Sequence, residues 1–541
     1  MSPIFADGRK IETSKDKTIF DYADSLKLRV PTSCGRTGEC HECIIEIKRG
    51  SSALSNPTES ETFLKTNYRL ACQTSVTDLT EEVEFSTLRR QPKILTSSIN
   101  RNVPLNPNVK KSDGFVVRNH STIDKYKGNI YGIAGDIGTT TIVLNLVDLE
   151  SGVTILTSSF ENPQKFGGSD VMNRISYDGG QFNGELQQVI ISAINFEIGM
   201  MTKKASVHRR HIYDAVFVGN TTMRDILFGI DVQTIGEKPY KSLIQTSYEN
   251  GLLSSTSLST TASEIGLRIF PNAHVYSGPL ISAHVGSDIS ADLLAISMDE
   301  KENAVMLVDI GTNTEVVIGN KYKMVTASCP AGPAFEGGEI TYGMPGYDGA
   351  VESVVINKKN VAEISTIGGQ NVTGICGSGL VDLLAELRIN EIMSPLGVLK
   401  DGAEYFRFSV SEKMDLSRAD ISALAQAKSA NYSGQYIALR HYGKPIDEIN
   451  TMYLAGGFAN YINIENAKQI GFIANFPDNK IIKAGNTSLE GATIMLRSVS
   501  MRDRIESLVT NISHIELETT PDFFDIFVEG CMFKPMPTKI S

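Results

Sequence analysis

Two stretches decide the fold: AGDIGTTTIVLNLVDLESGVTIL at 134–156 and LVDIGTNTEVVIGNKYKMVTAS at 307–328. In each, an apolar strand ends in Asp-Ile-Gly-Thr, a tight turn follows, and two more β-rich runs come after it. The set Asp136-Ile137-Gly138-Thr139-x-Thr141 returns as Asp309-Ile310-Gly311-Thr312-x-Thr314. Two copies imply two similar lobes built by duplication, each a sheet flanked by helices. One Asp-x-Gly-Thr alone more often marks a hairpin turn. Two copies facing each other across a cleft suggest phosphate chemistry. The Asp136 and Asp309 carboxylates can hold Mg²⁺ or its waters. Gly138 and Gly311 let the backbone approach phosphate oxygens, and Thr139, Thr140, Thr141 and Thr312 offer hydroxyls and N–H donors. A third element, MYLAGGFANY at 452–461, is a strand that breaks into Gly456-Gly457, where backbone can pass close to a flat base or ribose. The bland alternative is a duplicated fold that binds nothing.

Upstream of the repeat stand four of the seven cysteines, as Cys34-x5-Cys40-x2-Cys43-x28-Cys72. Three thiolates within ten residues wrap one side of a small cluster only if the loop is tightly turned, which Gly35 and Gly38 permit. The loop's N–H groups then point at bridging sulfides, and Cys72 arrives from a separate strand end. The spacing is that of plant-type [2Fe–2S] ferredoxins with one extra residue in the first gap. A structural zinc site uses the same thiolates, but such sites usually pair two C-x2-C knuckles, and one is present. His41 lies inside that knuckle. A Rieske centre needs two histidines, so His41 is expected to be exposed and inert. Cys329 and Cys376 read as small packed residues.

Composition narrows the partners. The net charge of -11 disfavours a phosphate-tracking surface and hence nucleic acid. The opening MSPIFADGRKIETSKDK shows no export-type apolar region, and the apolar patch at 189–201 is broken by Asn195 and Glu197, so no spanning helix is expected. Clustered cysteines in a long chain do not resemble a disulfide framework, which suggests a reducing cytoplasm.

The domains expected are a ferredoxin-like unit at 1–90, a linker at 91–128 and a two-lobed unit at 129–541, with lobe one over about 130–300 and lobe two over about 301–541. In the first unit PIFADGRKIET reads as a hairpin, TIFDYADSL as a short helix, and CIIEIKRG and LTEEVEFS as strands. The linker is polar, holds three prolines and lacks sustained periodicity, so it is read as partly ordered at most. A helix with Leu380, Leu383, Leu384 and Leu387, capped by Ser378, and another near Asn463–Ile470 belong to lobe two.

These pieces resemble the superfamily of two-lobed ATPases (ASKHA) that contains actin, the sugar kinases and the heat-shock chaperone ATPases. Asp136–Thr141 looks like its first phosphate motif, Asp309–Glu315, with Asn313 and Glu315, like its second, and Leu454–Ala459 like its adenosine motif. VFVGNTTMRDILFG at 216–229, with Asn220, and GNTSLEGA at 485–492 fall where that superfamily has two connecting helices. The resemblance implies an α/β and α+β multidomain fold, a β-grasp ferredoxin-like domain plus an actin-like ATPase. It also implies that Asp136 and Asp309 organise Mg²⁺ and the attacking water, with ATP as substrate.

Joined, the modules resemble one family closely: the reductive activators of corrinoid-dependent methyltransferases, which are [2Fe–2S] ATPases. GPLISAHVGSDISADLLA at 278–295, CPAGPAFEGGEI at 329–340, GICGSGLVDLLAEL at 374–387 and LAGGFANYINIENAKQIG at 454–471 extend the match across the chain. The resemblance implies return of an oxidised Co(II) corrinoid to Co(I), a corrinoid protein as partner, an electron donor of ferredoxin or flavodoxin type, and a homodimer. Some relatives carry an extra middle domain, for which about 38 residues leave no room here. Methanogen relatives carry further iron–sulfur motifs near the C-terminus, where this chain has only Cys531. The alternatives are an activator of a radical or dehydratase enzyme, an actin-like scaffold or chaperone with a redox-sensing ferredoxin module, and a small-molecule kinase.

Overall fold

The computed structural model describes residues 2–14, 17–65, 67–88, 99–282, 284–457 and 459–540. In lobe one the strand Tyr131–Ile137 pairs antiparallel with Thr141–Asp148, which pairs antiparallel with Thr154–Glu161. On its other side it runs parallel to Ile212–Val218, and His274–Ser277 and Leu258–Thr261 complete six strands. Lobe two repeats the order. Val305–Ile310 pairs antiparallel with Asn313–Asn320 and then Lys323–Pro330, and runs parallel to Thr451–Ala455 and then Ile481–Gly485. The short Ile512–His514 closes the far edge. The central strands are buried along almost their whole length, as apolar strands between helical layers should be.

Where the lobes meet, the helix Thr487–Arg497 lies against Ser287–Ala295. A Cβ on Gly491 would stand 2.0 Å from the Ala291 carbonyl oxygen, so only glycine permits this approach. The sequence reading placed the first connecting helix at 216–229, and this is corrected. Thr221–Phe228 spans only about 12 Å and packs inside lobe one, on Glu185–Ala205. A second correction concerns Ser378. The helix Gly377–Ile389 is preceded by Cys376, which makes no capping bond, and Ser378 sits in the first turn, donating to the Glu352 carbonyl. The helix Ile464–Gln469 is capped by Asn463.

The N-terminal unit is a five-stranded sheet in the order Arg9–Glu12, Pro3–Ala6, Val83–Thr87, Ile44–Arg49, Tyr68–Leu70. The helix Ile19–Ser25 crosses it, held by a Thr18–Asp21 capping box. Residues 89–98, which include the start of the expected linker at 91–98, lie outside the described residues. The rest of the expected linker is folded: Val109–Ser112, Phe115–Arg118 and Ser121–Lys125 form a three-stranded sheet. Val109 and Val116 are buried in the apolar cluster shared with lobe one. Arg101 is fixed by the Leu294 carbonyl, Asp299 and Glu300. Two valines suffice to seat so short a sheet, which is why no sustained periodicity announced it.

No described helix is long and apolar enough to cross a membrane. Asn195 and Glu197, which interrupt the apolar run, are themselves buried within Glu185–Ala205.

Candidate nucleotide cleft and cluster loop

Each duplicated strand carries its aspartate to the sheet edge facing the other lobe, and there the candidate phosphate residues converge. Asp136, Gly138, Thr139, Thr140, Thr141 and Asn220 of lobe one line one cleft. They face Asp309, Gly311, Thr312, Asn313, Glu315, Gly456 and Gly457 of lobe two across it. The glycines differ in what they do. A Cβ on Gly138 would stand 2.5 Å from the Thr141 carbonyl oxygen, so this glycine closes the turn. Around Gly311 the space is open, with no atom within 3.4 Å of such a Cβ, which leaves room for a ligand. Gly456, at φ +101°, packs its backbone against Ile310 and Asp309, while Gly457 faces open space.

Side-chain hydrogen bonds brace the cleft, and the one from Thr140 to Glu336 crosses from wall to wall. Thr140 Oγ1 and Thr312 Oγ1, corresponding residues of the two loops being a single position apart, both donate to Glu336 Oε2. Asn486 Nδ2 donates to Asp136 Oδ2 at 2.8 Å, and Asn220 Nδ2 to Thr139 Oγ1 at 3.0 Å. Burial raises the carboxyls here: Asp136 to about 7 and Asp309 to about 6. Asp288 is raised to about 8, by burial first and then by Asp309. Glu315 and Glu336 are raised for the same primary reason. So much buried acid fits a divalent cation, which would stabilise the ionised forms.

Beside the phosphate end opens a second, more apolar cavity. Its walls include Phe335, Met344, Ile367, Cys376, Ser378 and Tyr461, and it shares Thr140, Glu336 and Gly457 with the cleft. A flat base suits this space beyond Gly457. Cys329 and Cys376 are both buried, the latter at the cavity wall.

In the cluster loop, Gly35 (φ +69°) and Gly38 (φ +92°) take the left-handed conformation, joined by Arg36 and His41. The sulfurs meet as pairs. Cys43 and Cys72 Sγ atoms are 3.3 Å apart. Burial works against ionising Cys34, but hydrogen bonds from Thr37, from the Cys40 thiol and N–H, and from the Gly38 N–H hold its pKa at about 5. Cys72 is held at about 7, chiefly by the Cys43 thiol, whose own pKa is pushed up by that bond and by burial. Gln73 Nε2 also donates to Cys72 Sγ, at 3.3 Å. Two pairs of sulfurs, with Cys34 and Cys72 favoured as thiolates and N–H donors aimed at them, fit a cluster of two irons. His41 departs from expectation. It is half-buried, stacks on Phe63 at 4.0 Å, and sets Nδ1 2.9 Å from Glu185 Oε2 of lobe one. The cluster unit is docked on lobe one, and that surface complementarity has no sequence signature.

Comparison with known proteins bears on both sites. Residues 4–77 match the 2Fe-2S iron-sulfur cluster binding domain, residues 131–301 the RACo middle region, and residues 303–540 the C-terminal domain of RACo, the ASKHA domain. The chain belongs to the RACo family. Among relatives, the corrinoid activation enzyme RamQ of Eubacterium limosum is 27% identical, with 97% of each chain covered. The [Co(II) methylated amine-specific corrinoid protein] reductase of Methanosarcina barkeri is 23% identical over 74% of this chain and 76% of its own. A solved reductive activator for corrinoid, iron-sulfur protein superposes with a TM-score of 0.73 at 26% identity, covering 100% of this chain and 99% of that one. The RACo middle region falls on the lobe that carries Asp136, so in this chain it is a wall of the cleft.

Several cleft residues of this RACo chain escaped the sequence reading. Glu336 and Asp288 occur once each, outside the repeat. Asn486 had a signal, because Gly219-Asn220-Thr221 and Gly485-Asn486-Thr487 are the same tripeptide. Each asparagine caps its helix and points a side-chain amide into the cleft.

Proposed function

We propose that this chain is an ATP-dependent reductive activator of a corrinoid protein, returning inactive Co(II) to Co(I) in a methyltransferase or O-demethylase system. The observation that carries the proposal is the union, in one chain, of a paired-cysteine loop with a duplicated Asp-Ile-Gly-Thr cleft. The names of the relatives, a corrinoid activation enzyme and a corrinoid protein reductase, support it.

A [2Fe–2S] cluster at Cys34, Cys40, Cys43 and Cys72 supplies one electron at a time, at about −400 mV for the plant type. An acceptor roughly 200 mV more negative sets an uphill step of about 5 kcal/mol, at about 1.4 kcal/mol per 59 mV. Differential affinity for two forms of the cleft can supply energy on that scale. Thr139, Thr140, Thr141, Thr312 and the Gly311 backbone would hold the phosphates. Asp136 and Asp309 would hold Mg²⁺ and the attacking water, with Asn220 and Asn486 fixing their surroundings and Gly456-Gly457 beside the adenosine. Because phosphoryl transfer relies on positioning and charge, these groups suffice without a protein nucleophile. A donor of ferredoxin or flavodoxin type, a homodimer and a cytoplasmic setting belong to the same reading.

The test is the visible spectrum of a Co(II) corrinoid protein mixed with reduced holoprotein. Conversion to Co(I) that requires MgATP supports the reading. Equal multi-turnover rates with a nonhydrolysable analogue overturn the ATP-driven step.

A further inference from the structure

We propose that Arg174 is a positioning residue that ties the first phosphate loop to the cluster unit, so that nucleotide binding and cluster reduction influence each other. The proposal rests on the nucleotide and cluster assignments above and adds the physical link between them.

Arg174, on the helix Val171–Asp178, is 1% exposed. Its guanidinium binds carbonyl groups of separate segments and, through Nη1, Met223 Sδ at 2.9 Å. Nη2 donates to the Thr139 carbonyl at 2.6 Å, Nε to the Gly168 carbonyl at 3.0 Å, and Nη1 reaches Gln164 Oε1 at 3.4 Å. A planar fork buried in this way fixes the segments relative to one another. Asn162 adds a parallel tie, Nδ2 donating to the Gly138 carbonyl at 2.9 Å. Residues 162–177 therefore move with the phosphate loop.

The other side of that same segment is the dock for the cluster unit. Lys65 Nζ donates to the Gly167 carbonyl at 2.9 Å, Tyr177 Oη to the Phe63 carbonyl at 2.6 Å, and Lys165 pairs with Glu46 at 2.9 Å. Phe166 meets Phe63 edge-on at 5.6 Å, and Phe63 stacks on His41, the residue after Cys40. From Thr139 to the ligand loop every step is a hydrogen bond or a packed ring. Close-packed contacts of this kind shift together rather than singly. A shift changes water and charge around the loop, where the Glu185 carboxylate meets His41, and both set a cluster's potential. Linkage then requires reciprocity. If reduction changes nucleotide affinity tenfold, nucleotide shifts the potential by about 59 mV.

The experiment measures MgAMP-PNP affinity of the full-length holoprotein with its cluster oxidised and then reduced, and the cluster potential with and without the same nucleotide. Affinities differing several-fold, with a matching shift in potential, are expected. In Lys65→Met/Lys165→Met, altered on the dock and outside both sites, the affinity ratio should fall to one while oxidised-state affinity stays. Arg174→Lys, which loosens the phosphate loop itself, should lower affinity in both states and also bring the ratio to one. Equal affinities in the two states of the natural chain overturn the proposal alone, as does an undiminished ratio in the double variant or in a folded Arg174→Lys. Absence of binding in both states overturns the nucleotide assignment together with it.

Discussion

Asp309 illustrates what a single side chain is asked to do in this cleft. It stands half-buried beside Asp288, Asp292 and Glu336, with no lysine or arginine bonded to it among the described residues, and desolvation raises its carboxyl to about 6. Such a group is tolerable where a cation completes the site. Asp309→Asn should lower ATP hydrolysis by about 10²–10³-fold, the scale of losing one preorganised charge-stabilising group, while the visible spectrum of the cluster stays unchanged. Hydrolysis near the natural rate would remove Asp309 from the mechanism. The sequence made Asp309 legible because Asp136 repeats it. Glu336 has no duplicate, and only the fold shows that its carboxylate stands between Thr140 and Thr312.

At the level of the element, the approach to Cys72 depends on a carboxylate that no motif marks. Glu61 lies buried on a short turn and accepts from Arg69 Nε at 2.8 Å and from the Leu70 N–H at 2.9 Å. It also receives the Thr58 N–H at 2.8 Å. It thereby aligns Tyr68–Leu70, the strand that delivers Cys72. Breaking a buried pair of this kind costs about 3–5 kcal/mol. Glu61→Gln should lower the stability of the cluster unit by that order and bleach its visible absorption at a lower urea concentration than the natural chain. Short elements were also where sequence reading lost most. The strands in 1–90 were legible from turn residues and alternation, and so was the Thr18-capped helix. The sheet at 109–125 was not, because two buried valines leave no periodic trace. Ser378 misled because it stands one turn position inside a helix that begins without a side-chain cap.

For the molecule as a whole, the duplicated lobes and the separate cluster unit followed from the repeat and the cysteine spacing. Their mutual placement did not, since docking rests on matched surfaces such as Phe63 on Phe166. The packing of the long helix Arg418–Tyr442 adds a pH dependence. Lys428, fully buried on it, donates to the Ile470 and Met532 carbonyls, and burial lowers its pKa to about 7. The unfolded chain holds that proton up to about pH 10.4. Between about pH 7 and 10 the unfolded state thus binds more protons, and stability gains up to about 1.4 kcal/mol per pH unit from this group. Thermal unfolding of the natural chain should shift upward over that range relative to Lys428→Met, in which this increment is absent. Parallel pH profiles for the two proteins would refute the assignment.

The bonds from Thr140 and Thr312 to Glu336, with Asn486 on Asp136, carry a kinetic consequence. They already clasp the walls together, so an incoming nucleotide exchanges for bonds the protein makes with itself. Entry is then governed by how often the clasp lets go. Observed association rates should level off at high nucleotide concentration instead of climbing in proportion, and the plateau should rise when Glu336 is replaced by alanine.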